Sequence, residues 1–305
     1  MLLGVRHVPD IEWLSFIVIN NLQPSKFSLD AFDQLVVPHI GQPIPKRYAR
    51  TIMHLVPLAQ KLAERGAIFD FTGNDGPTIT ANGITIKVEG FTELETFDEV
   101  LIRKNYRMTI GGPTVVIDIG MNVGLASLYF SAHPNVEVVY GYEPFEPTYR
   151  CALANFELNP ELAKKIVPIN TGIDARAHTA QAPYCATIND SLGIPGMVRP
   201  PGNSSIETHT IQLEAMGDVY QHVRSKHPEA AILVKIDCEG SEKEIVPALC
   251  AHVGRDDRVA LNMETHFGYD DIVMRTLEDA GFKVFGAETW APGQWLMYAV
   301  SGANW

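Results

Sequence analysis

From Gly112 onward, strand-like and helix-like stretches alternate along this 305-residue chain, and this alternation limits the possible folds more than any other feature. Short apolar runs such as TVVIDI, VEVVYGYE and AILVKID are each followed by a longer stretch with apolar residues at helical spacing. Parallel strands joined by crossover helices produce this pattern. The sequence therefore predicts an open, doubly wound, mostly parallel α/β sheet over residues 113–305, and the last two runs, KVFGAE and WLMYAV, suit an antiparallel pair at its edge.

Two different segments precede the predicted sheet. Residues 1–66 form a predicted helical N-terminal extension, because apolar positions recur at helical spacing in AFDQLVVPHI and RYARTIMHLVPLAQKLAERG, although prolines interrupt them. Residues 67–112 contain short β-rich runs, two of which flank Asn82-Gly83, a strong hairpin signal. We therefore expect a small β element and a lead-in segment between the helical extension and the α/β domain.

Charge and composition exclude several classes of function. The chain has 24 Lys and Arg residues against 36 Asp and Glu residues, a formal charge of −12 without a basic run, which argues against a nucleic-acid partner. The apolar stretch WLSFIVI is too short to span a membrane and follows acidic residues, where a signal peptide would carry positive charge. The four cysteines lack zinc-site spacing, which favours reduced thiols. We expect a cytoplasmic protein with no membrane partner, and the oligomeric state stays open, with a homo-oligomer among the alternatives.

The first predicted strand of the α/β domain ends in the motif VVIDIGMNVG. This motif carries Asp118, Gly120, Asn122 and Gly124. The dinucleotide fingerprint G-x-G-x-x-G would have a glycine in place of the asparagine. A nicotinamide oxidoreductase is therefore disfavoured. A ligand with an amino-acid head group and a nucleoside, without phosphates, needs a carboxylate near its ammonium group and a close backbone turn. S-adenosylmethionine is such a ligand, and we expect these four residues to bind it.

Three further residues complete the predicted cofactor site. Glu143 ends the second strand roughly twenty residues after the motif, where a carboxylate can accept hydrogen bonds from both ribose hydroxyls. Phe145 can stack on the adenine, although an aromatic residue here also suits the core. Asp174, after the third strand, can accept a hydrogen bond from the adenine amino group, with a role in a turn as its alternative.

The fourth strand leads into ILVKIDCEGSE, the most unusual sequence in the chain. It brings Lys235, Asp237 and Glu239 to the carboxyl end of a buried strand, where charges are costly unless they are paired or used. For Glu242 and Glu244 we accept a structural role at the positive N-terminus of the following helix. Asp237 and Glu239 follow the buried run directly and are predicted to face the ligand crevice. We expect Asp237 to contact both the cofactor and the methyl acceptor.

The fifth strand ends in RVALNMETHF, which adds Glu264 and His266 at the same rim. We predict His266 as the general base, with Asp237 or Glu239 orienting it or the acceptor. A Mg²⁺ ion held by Asp237, Glu239 and Glu264 is an alternative that we rank lower, because the spacing is not diagnostic, so no metal is expected.

The four motifs together resemble the FkbM family of S-adenosylmethionine-dependent methyltransferases. VVIDIGMNVG, YEP, VKIDCEGSE and METH occur in that order, and the similarity covers roughly residues 85 to 300. The resemblance implies a Rossmann-like class I methyltransferase fold and O-methylation of a small molecule, often a sugar or a natural-product scaffold. Met121 and Cys238 depart from the family pattern without removing a polar group.

Several alternatives concern the acceptor. A carboxylate acceptor would need no base, and a protein that binds the cofactor without catalysis would keep the same motifs. The Pro/Gly/Ser/Thr-rich stretch from Ala175 to Ser205 has little periodicity and is a candidate substrate loop. We expect this stretch and the N-terminal extension to select the small-molecule acceptor.

Overall fold

The chain forms two compact units, Met1–Asp98 and Glu99–Trp305. The boundary falls inside the segment that we predicted to separate the N-terminal extension from the α/β domain. The computed structural model describes residues 28–30, 34–36, 39–45, 48, 56–73, 76–106, 111–185, 190–191, 206–291 and 294–301.

The described residues of the first unit include a small antiparallel sheet where the sequence predicted helix. Its strands, in the order β1-β2-β3, are β1 (Ser28–Asp30), β2 (Gln34–Val36) and β3 (Ile44–Pro45). The prediction of a helical extension is therefore wrong for this stretch. Its prolines cannot donate the backbone hydrogen bonds of a helix, and its paired valines favour strands. The helical spacing of a few apolar residues was therefore not enough to predict a helix. The later part is helical as predicted, in α1 (Val56–Glu64).

A second small sheet in the same unit confirms the predicted hairpin. Its strands, in the order β4-β5-β6, are β4 (Ile68–Asp70), β5 (Thr78–Ala81) and β6 (Ile84–Lys87). Asn82 and Gly83 connect β5 to β6 with φ values of 53° and 77°. Two central residues with positive φ define the hairpin turn that Asn-Gly favours.

Helix α2 (Phe91–Phe97) precedes a π-helical segment, Asp98–Arg103. The Asp98 side chain is fully buried and accepts hydrogen bonds from Lys61 at 2.8 Å and Arg65 at 3.4 Å. These two cations from the end of α1 and the turn after it compensate the buried carboxylate, which would otherwise be costly to desolvate.

The second unit is built on a seven-stranded sheet in the order β16-β17-β15-β14-β7-β8-β9. All neighbours are parallel except at β17, which pairs antiparallel with both β15 and β16. This order, with one antiparallel strand inserted near the edge, is that of the Rossmann-like class I methyltransferase fold, so the predicted fold class is confirmed. The strands are β7 (Thr114–Ile119), β8 (Val136–Tyr142), β9 (Ile166–Ile169), β14 (Ala231–Ile236), β15 (Val259–Thr265), β16 (Lys283–Ala291) and β17 (Gln294–Val300).

Helices separate the strands, as the alternating pattern predicted. Every residue of β7, β14 and β15 is buried, which explains their unbroken apolar runs. One face of the sheet packs against α6, α7 and α8 in the main apolar core. In the described part of the chain, no helix has both the length and the hydrophobicity needed to cross a membrane. The helices are α3 (Leu125–Ser131), α4 (Glu146–Glu157), α5 (Pro160–Ala163), α6 (Met216–Lys226), α7 (Glu242–Cys250) and α8 (Asp270–Asp279).

A second, four-stranded sheet occupies part of the stretch that we predicted to be a loop. Its order is β10-β13-β11-β12, and β11 pairs antiparallel with β13 over eight residues, from His178↔Leu213 to Cys185↔Ile206. The loop prediction is thus wrong for the strands, while residues 186–189 and 192–205 lie outside the described part. The strands are β10 (Gly172–Asp174), β11 (His178–Cys185), β12 (Asp190–Ser191) and β13 (Ile206–Ala215).

Candidate functional site

The glycine turn after β7 is held against the neighbouring strands by its backbone. The N–H groups of Gly120 and Met121 both donate to the carbonyl of Tyr142, at 3.1 and 2.9 Å. Gly120 has φ 76°, and a Cβ atom there would lie 1.8 Å from the carbonyl oxygen of Asp237. Only glycine therefore lets the turn approach the end of β14 so closely.

The second glycine of the motif serves the helix that follows. Gly124 has φ 83° and immediately precedes α3, and a Cβ there would lie 2.6 Å from the Phe156 ring. Asn122 lies between the two glycines with φ 51°, a conformation that asparagine tolerates better than most residues. The motif thus forms a tight turn beyond the carboxyl end of β7, and its contact with a cofactor stays a prediction.

Glu143 lies directly beside this turn. Its Oε2 accepts a hydrogen bond from the N–H of Asn122 at 3.0 Å, and its Oε1 accepts one from the N–H of Phe145 at 2.9 Å. The residue is 5% exposed. Burial raises the pKa of Glu143 to about 7, since the two backbone N–H groups offset the loss of solvation only in part. Each carboxylate oxygen keeps a further acceptor position for a ligand.

Asp118 does not take the position that we predicted for it. Its side chain is fully buried, where Oδ2 accepts a hydrogen bond from Ser127 at 2.6 Å and Oδ1 lies 3.3 Å from Lys235 Nζ. The expectation that it contacts an ammonium group of the cofactor is therefore wrong, because the lysine of the fourth motif already supplies that charge. Asp118 and Lys235 are register partners on adjacent parallel strands, so their side chains lie on the same face of the sheet.

Lys235 connects the first and fourth motifs. Its Nζ donates to the carbonyls of Ile119 at 3.3 Å and Gly120 at 2.6 Å, in addition to its ion pair with Asp118. Burial alone would lower the pKa of Lys235, but the carboxylates of Asp118 and Asp237 raise it overall. A buried ammonium group thus fixes the backbone of the glycine turn, a role that the sequence analysis missed.

Phe145 packs inside the protein and does not face the crevice. Its ring stacks on Tyr184 with 5.1 Å between centroids and forms a small apolar cluster with Tyr184 and Ile211. At 5% exposure it has no free face for an adenine, so the predicted stacking is wrong and the core alternative is correct. Its contribution to the site is the N–H group that binds Glu143.

Asp174 lies at the end of β10. Its Oδ1 accepts a hydrogen bond from the N–H of Ala175 at 2.6 Å, and its Oδ2 lies 3.7 Å from His178 Nε2. The side chain is 25% exposed. The turn-forming role is therefore present, and a hydrogen bond to an adenine stays a prediction.

The predicted acceptor-side residues lie close together, at the carboxyl ends of β14 and β15. The Nε2 atom of His266 lies 3.8 Å from Asp237 Oδ1, 3.9 Å from Glu239 Oε1 and 3.7 Å from Glu264 Oε1. Burial raises the pKa of Glu239 to about 7, and burial together with Asp237 raises that of Glu264 to about 8. We refer to these four residues as the acidic cluster.

Glu242 organises the acidic cluster and is more than a helix cap. This fully buried residue accepts hydrogen bonds from the N–H groups of Cys238 at 3.3 Å and Gly240 at 3.1 Å. The same oxygen lies 3.0 Å from His266 Nδ1. One carboxylate thus shapes the turn that carries Glu239 and fixes the orientation of the histidine.

This arrangement disfavours a neutral His266, and its role as the general base stays a prediction. Burial alone would lower the pKa of His266, but the hydrogen bond to Glu242 and the carboxylates of Asp237 and Glu239 raise it to about 10. The imidazole is then protonated near neutral pH and cannot accept a proton. The sequence showed the acids one by one but not that they converge on one ring.

Two further residues of the site were not identified from the sequence. The Tyr106 hydroxyl donates a 3.1 Å hydrogen bond to Asp237 from 131 positions away in the chain. Asn262 is fully buried beside its register partner Lys235, and neither of its side-chain polar atoms has a hydrogen-bond partner among the described residues. No local pattern marks Tyr106, because only the fold brings it to the motifs, whereas Asn262 lies within the fifth-strand stretch RVALNMETHF and was not singled out there.

Comparison with known proteins gives distant similarities in structure. No protein-family model and no curated protein matches the chain. A precorrin-6Y C5,15-methyltransferase from Geobacter metallireducens is 13% identical with a TM-score of 0.36, over 73% of this chain and 93% of that one. TYW2 from M. jannaschii, in complex with AdoMet, is 12% identical with a TM-score of 0.37, over 73% and 83%. A methyltransferase FkbM from Methylobacillus flagellatus is 13% identical with a TM-score of 0.41, over 83% and 60%. The fold assignment therefore rests on the strand order.

Proposed function

We propose that this protein binds S-adenosylmethionine beyond the carboxyl ends of β7 and β8 and transfers its methyl group to a hydroxyl oxygen of a small molecule. The observation that carries the proposal is Glu143. Its two oxygens are held by one backbone N–H group each, directly beside the turn formed by Gly120 and Asn122. A carboxylate fixed in this way presents two acceptors to the paired hydroxyls of a ribose.

The turn itself supports a nucleoside ligand without a pyrophosphate. Its close approach to Asp237 depends on Gly120, while Asn122 stands where the dinucleotide fingerprint G-x-G-x-x-G has its second glycine. Because Asp118 is paired internally with Lys235, we no longer assign it to the ammonium group of the cofactor. Asp118 instead holds Lys235, whose ammonium group fixes the glycine turn.

The acidic cluster supports a hydroxyl acceptor over a carboxylate acceptor. Four carboxyl groups, those of Asp237, Glu239, Glu242 and Glu264, lie around the imidazole of His266, so acidic groups outnumber the two cations there, His266 and Lys235. A second anion would be repelled there, whereas a hydroxyl group can donate a hydrogen bond to Asp237 or Glu239. Methyl transfer from a sulfonium depends mainly on alignment. A carboxylate of Asp237 or Glu239 can orient the acceptor oxygen and accept its proton as the new C–O bond forms and the C–S bond of the cofactor breaks.

The cofactor part of the proposal can be tested by thermal unfolding of the full-length protein. S-adenosylmethionine and S-adenosylhomocysteine should raise the melting temperature, because a ligand bound only by the folded state stabilises it, and NADH should not. Glu143→Ala should largely remove the shift. Glu146→Ala, which changes an exposed glutamate three residues later, is the matched control and should keep it. An unchanged shift in folded Glu143→Ala would place the ligand elsewhere.

The acceptor can be tested by incubation with S-adenosylmethionine and small molecules that carry either hydroxyl or carboxyl groups. Mass spectrometry should detect methyl ethers. Methyl esters alone would contradict the proposal and favour the carboxylate acceptor. Tight cofactor binding without turnover on a broad panel would favour a binding protein without catalysis.

A further inference from the structure

None of the three carboxylates of the acidic cluster lies within hydrogen-bonding distance of His266 Nε2. The oxygens of Asp237, Glu239 and Glu264 lie 3.7 to 3.9 Å from His266 Nε2, whereas N–H···O hydrogen bonds are about 2.7 to 3.2 Å long. An imidazolium at this position would leave its Nε2–H without an acceptor at normal distance. The three carboxylates thus lie around His266 Nε2 at ion-pair distance, without a hydrogen bond to it.

The Nε2 atom of His266 is oriented toward these three carboxylates by a fourth, that of Glu242, on the other side of the ring. Only 2% of the residue is exposed, and Nδ1 donates a 3.0 Å hydrogen bond to Glu242. Its Nε2 faces the three carboxylates at ion-pair distance and has no hydrogen bond of normal length among the described residues. In protein metal sites, a histidine that binds the ion through one ring nitrogen usually donates the N–H of the other to a carboxylate, a carbonyl or water.

We propose that Asp237, Glu239 and His266 bind one divalent transition-metal ion. One ligand atom from each residue can be chosen so that all three lie within 4.8 Å of one another. Ligand atoms that lie about 2.1 Å from a common ion are up to about 4.2 Å apart, so the distances of 3.8 and 3.9 Å leave room for an ion after a small adjustment of the side chains. On binding, the ion takes the place of the Nε2 proton of His266, which is released to solvent.

The donor set favours a transition metal over Mg²⁺. Mg²⁺ prefers oxygen ligands and retains water, whereas imidazole suits first-row transition metals, and Mn²⁺ accepts carboxylates and imidazole together. The Asp237 and Glu239 side chains are 29% and 32% exposed, so water or another oxygen ligand can reach the ion's remaining positions. The suggestion that an acceptor hydroxyl fills one of them rests on the proposed function, while the cation site itself does not.

The inference can be tested on the full-length protein after treatment with a chelator and its removal. Mn²⁺ is titrated in, and free Mn²⁺ is followed by electron paramagnetic resonance. We expect one ion per chain, and a Kd raised at least tenfold in Glu239→Gln and in His266→Asn. Glu244→Gln is the matched control, because this glutamate lies on the same helix as Glu242 with a side chain 48% exposed, and its Kd should not change.

Two further results decide the inference. Pulsed electron paramagnetic resonance should show coupling of the bound Mn²⁺ to a ¹⁴N nucleus in the wild type, and a hundredfold excess of Mg²⁺ should leave the Mn²⁺ bound. Absence of binding, an unchanged Kd in folded Glu239→Gln, absence of ¹⁴N coupling or displacement by Mg²⁺ would overturn it. Because Glu239 is partly exposed, its variant stays informative if His266→Asn does not fold. The melting shift with S-adenosylhomocysteine, measured without metal, tests the cofactor proposal separately.

Discussion

Two glutamates, Glu143 and Glu242, organise the two sides of the site in the same way. Each accepts hydrogen bonds from the backbone of a tight turn, Glu143 from Asn122 and Glu242 from Gly240. Each turn contains a residue other than glycine with positive φ, 51° at Asn122 and 55° at Glu239. The carboxylates supply the hydrogen bonds that keep these unusual conformations in place. Beyond the ribose role predicted for Glu143 and the helix N-terminal role predicted for Glu242, both side chains are therefore part of the framework of the site.

The pKa of Glu143 makes cofactor binding dependent on pH. Ribose hydroxyls donate hydrogen bonds to the ionised carboxylate, and the pKa of this group in the free protein is about 7. Affinity should therefore rise with pH up to about 7 and flatten above it, with a loss of about tenfold for each pH unit below. Calorimetric titration with S-adenosylhomocysteine between pH 5.5 and 8 measures this, and Glu143→Gln should remove the dependence. A constant affinity in the wild type would contradict the ribose role.

Two features require a glycine at position 120: the close approach of the Asp237 carbonyl and the positive φ angle. Gly120→Ala would place a Cβ atom 1.8 Å from the Asp237 carbonyl, in addition to the strain of φ 76°, so we expect a loss of more than about 2 kcal/mol in the free energy of unfolding. Gly268→Ala is the control, because Gly268 has the same φ and open space around it, and it should lose only about 1 to 2 kcal/mol. Equal losses in urea denaturation would show that the close approach is unimportant.

At the level of elements, the central sheet could be predicted and the second sheet could not. Strands β7, β14 and β15 are buried on both faces and therefore appear as apolar runs. Strand β11 is mostly exposed and gains its stability by pairing with β13, which follows a long intervening stretch, so no local pattern indicates it. The same reasoning applies to the site. The strand-end acids could be predicted, whereas the inward pairing of Asp118 and the contact of Tyr106 depend on packing.

The second sheet should depend on one aromatic contact. Tyr184 is 2% exposed, stacks on Phe145 at 5.1 Å and lies 4.8 Å from the ring of His209. Tyr184→Ala should lower the free energy of unfolding by about 3 to 5 kcal/mol, as for other large aromatic truncations. Ile206→Ala, at a residue that is 53% exposed in the same sheet, should change it by no more than about 0.5 kcal/mol. A loss below about 1 kcal/mol for Tyr184→Ala would show that this cluster contributes little.

At the level of the whole molecule, every residue assigned here to the cofactor turn and the acidic cluster belongs to the unit Glu99–Trp305. The class I methyltransferase order of its sheet brings the ends of β7, β8, β14 and β15 to one edge, as expected where ligands bind in open α/β sheets. The acceptor-selecting role of the N-terminal residues and of the stretch from Ala175 to Ser205 stays a prediction. The central claim is therefore that this edge binds S-adenosylmethionine through Glu143.

Calorimetric titration of the full-length protein with S-adenosylhomocysteine at pH 8 tests that claim most directly. The account predicts one binding site per chain in the wild type and in the Glu146→Ala control, and no measurable binding in Glu143→Ala that remains folded by circular dichroism. Titration with NADH should give no heat of binding. Absence of S-adenosylhomocysteine binding to the folded wild type, or equal affinity in Glu143→Ala, would contradict the account.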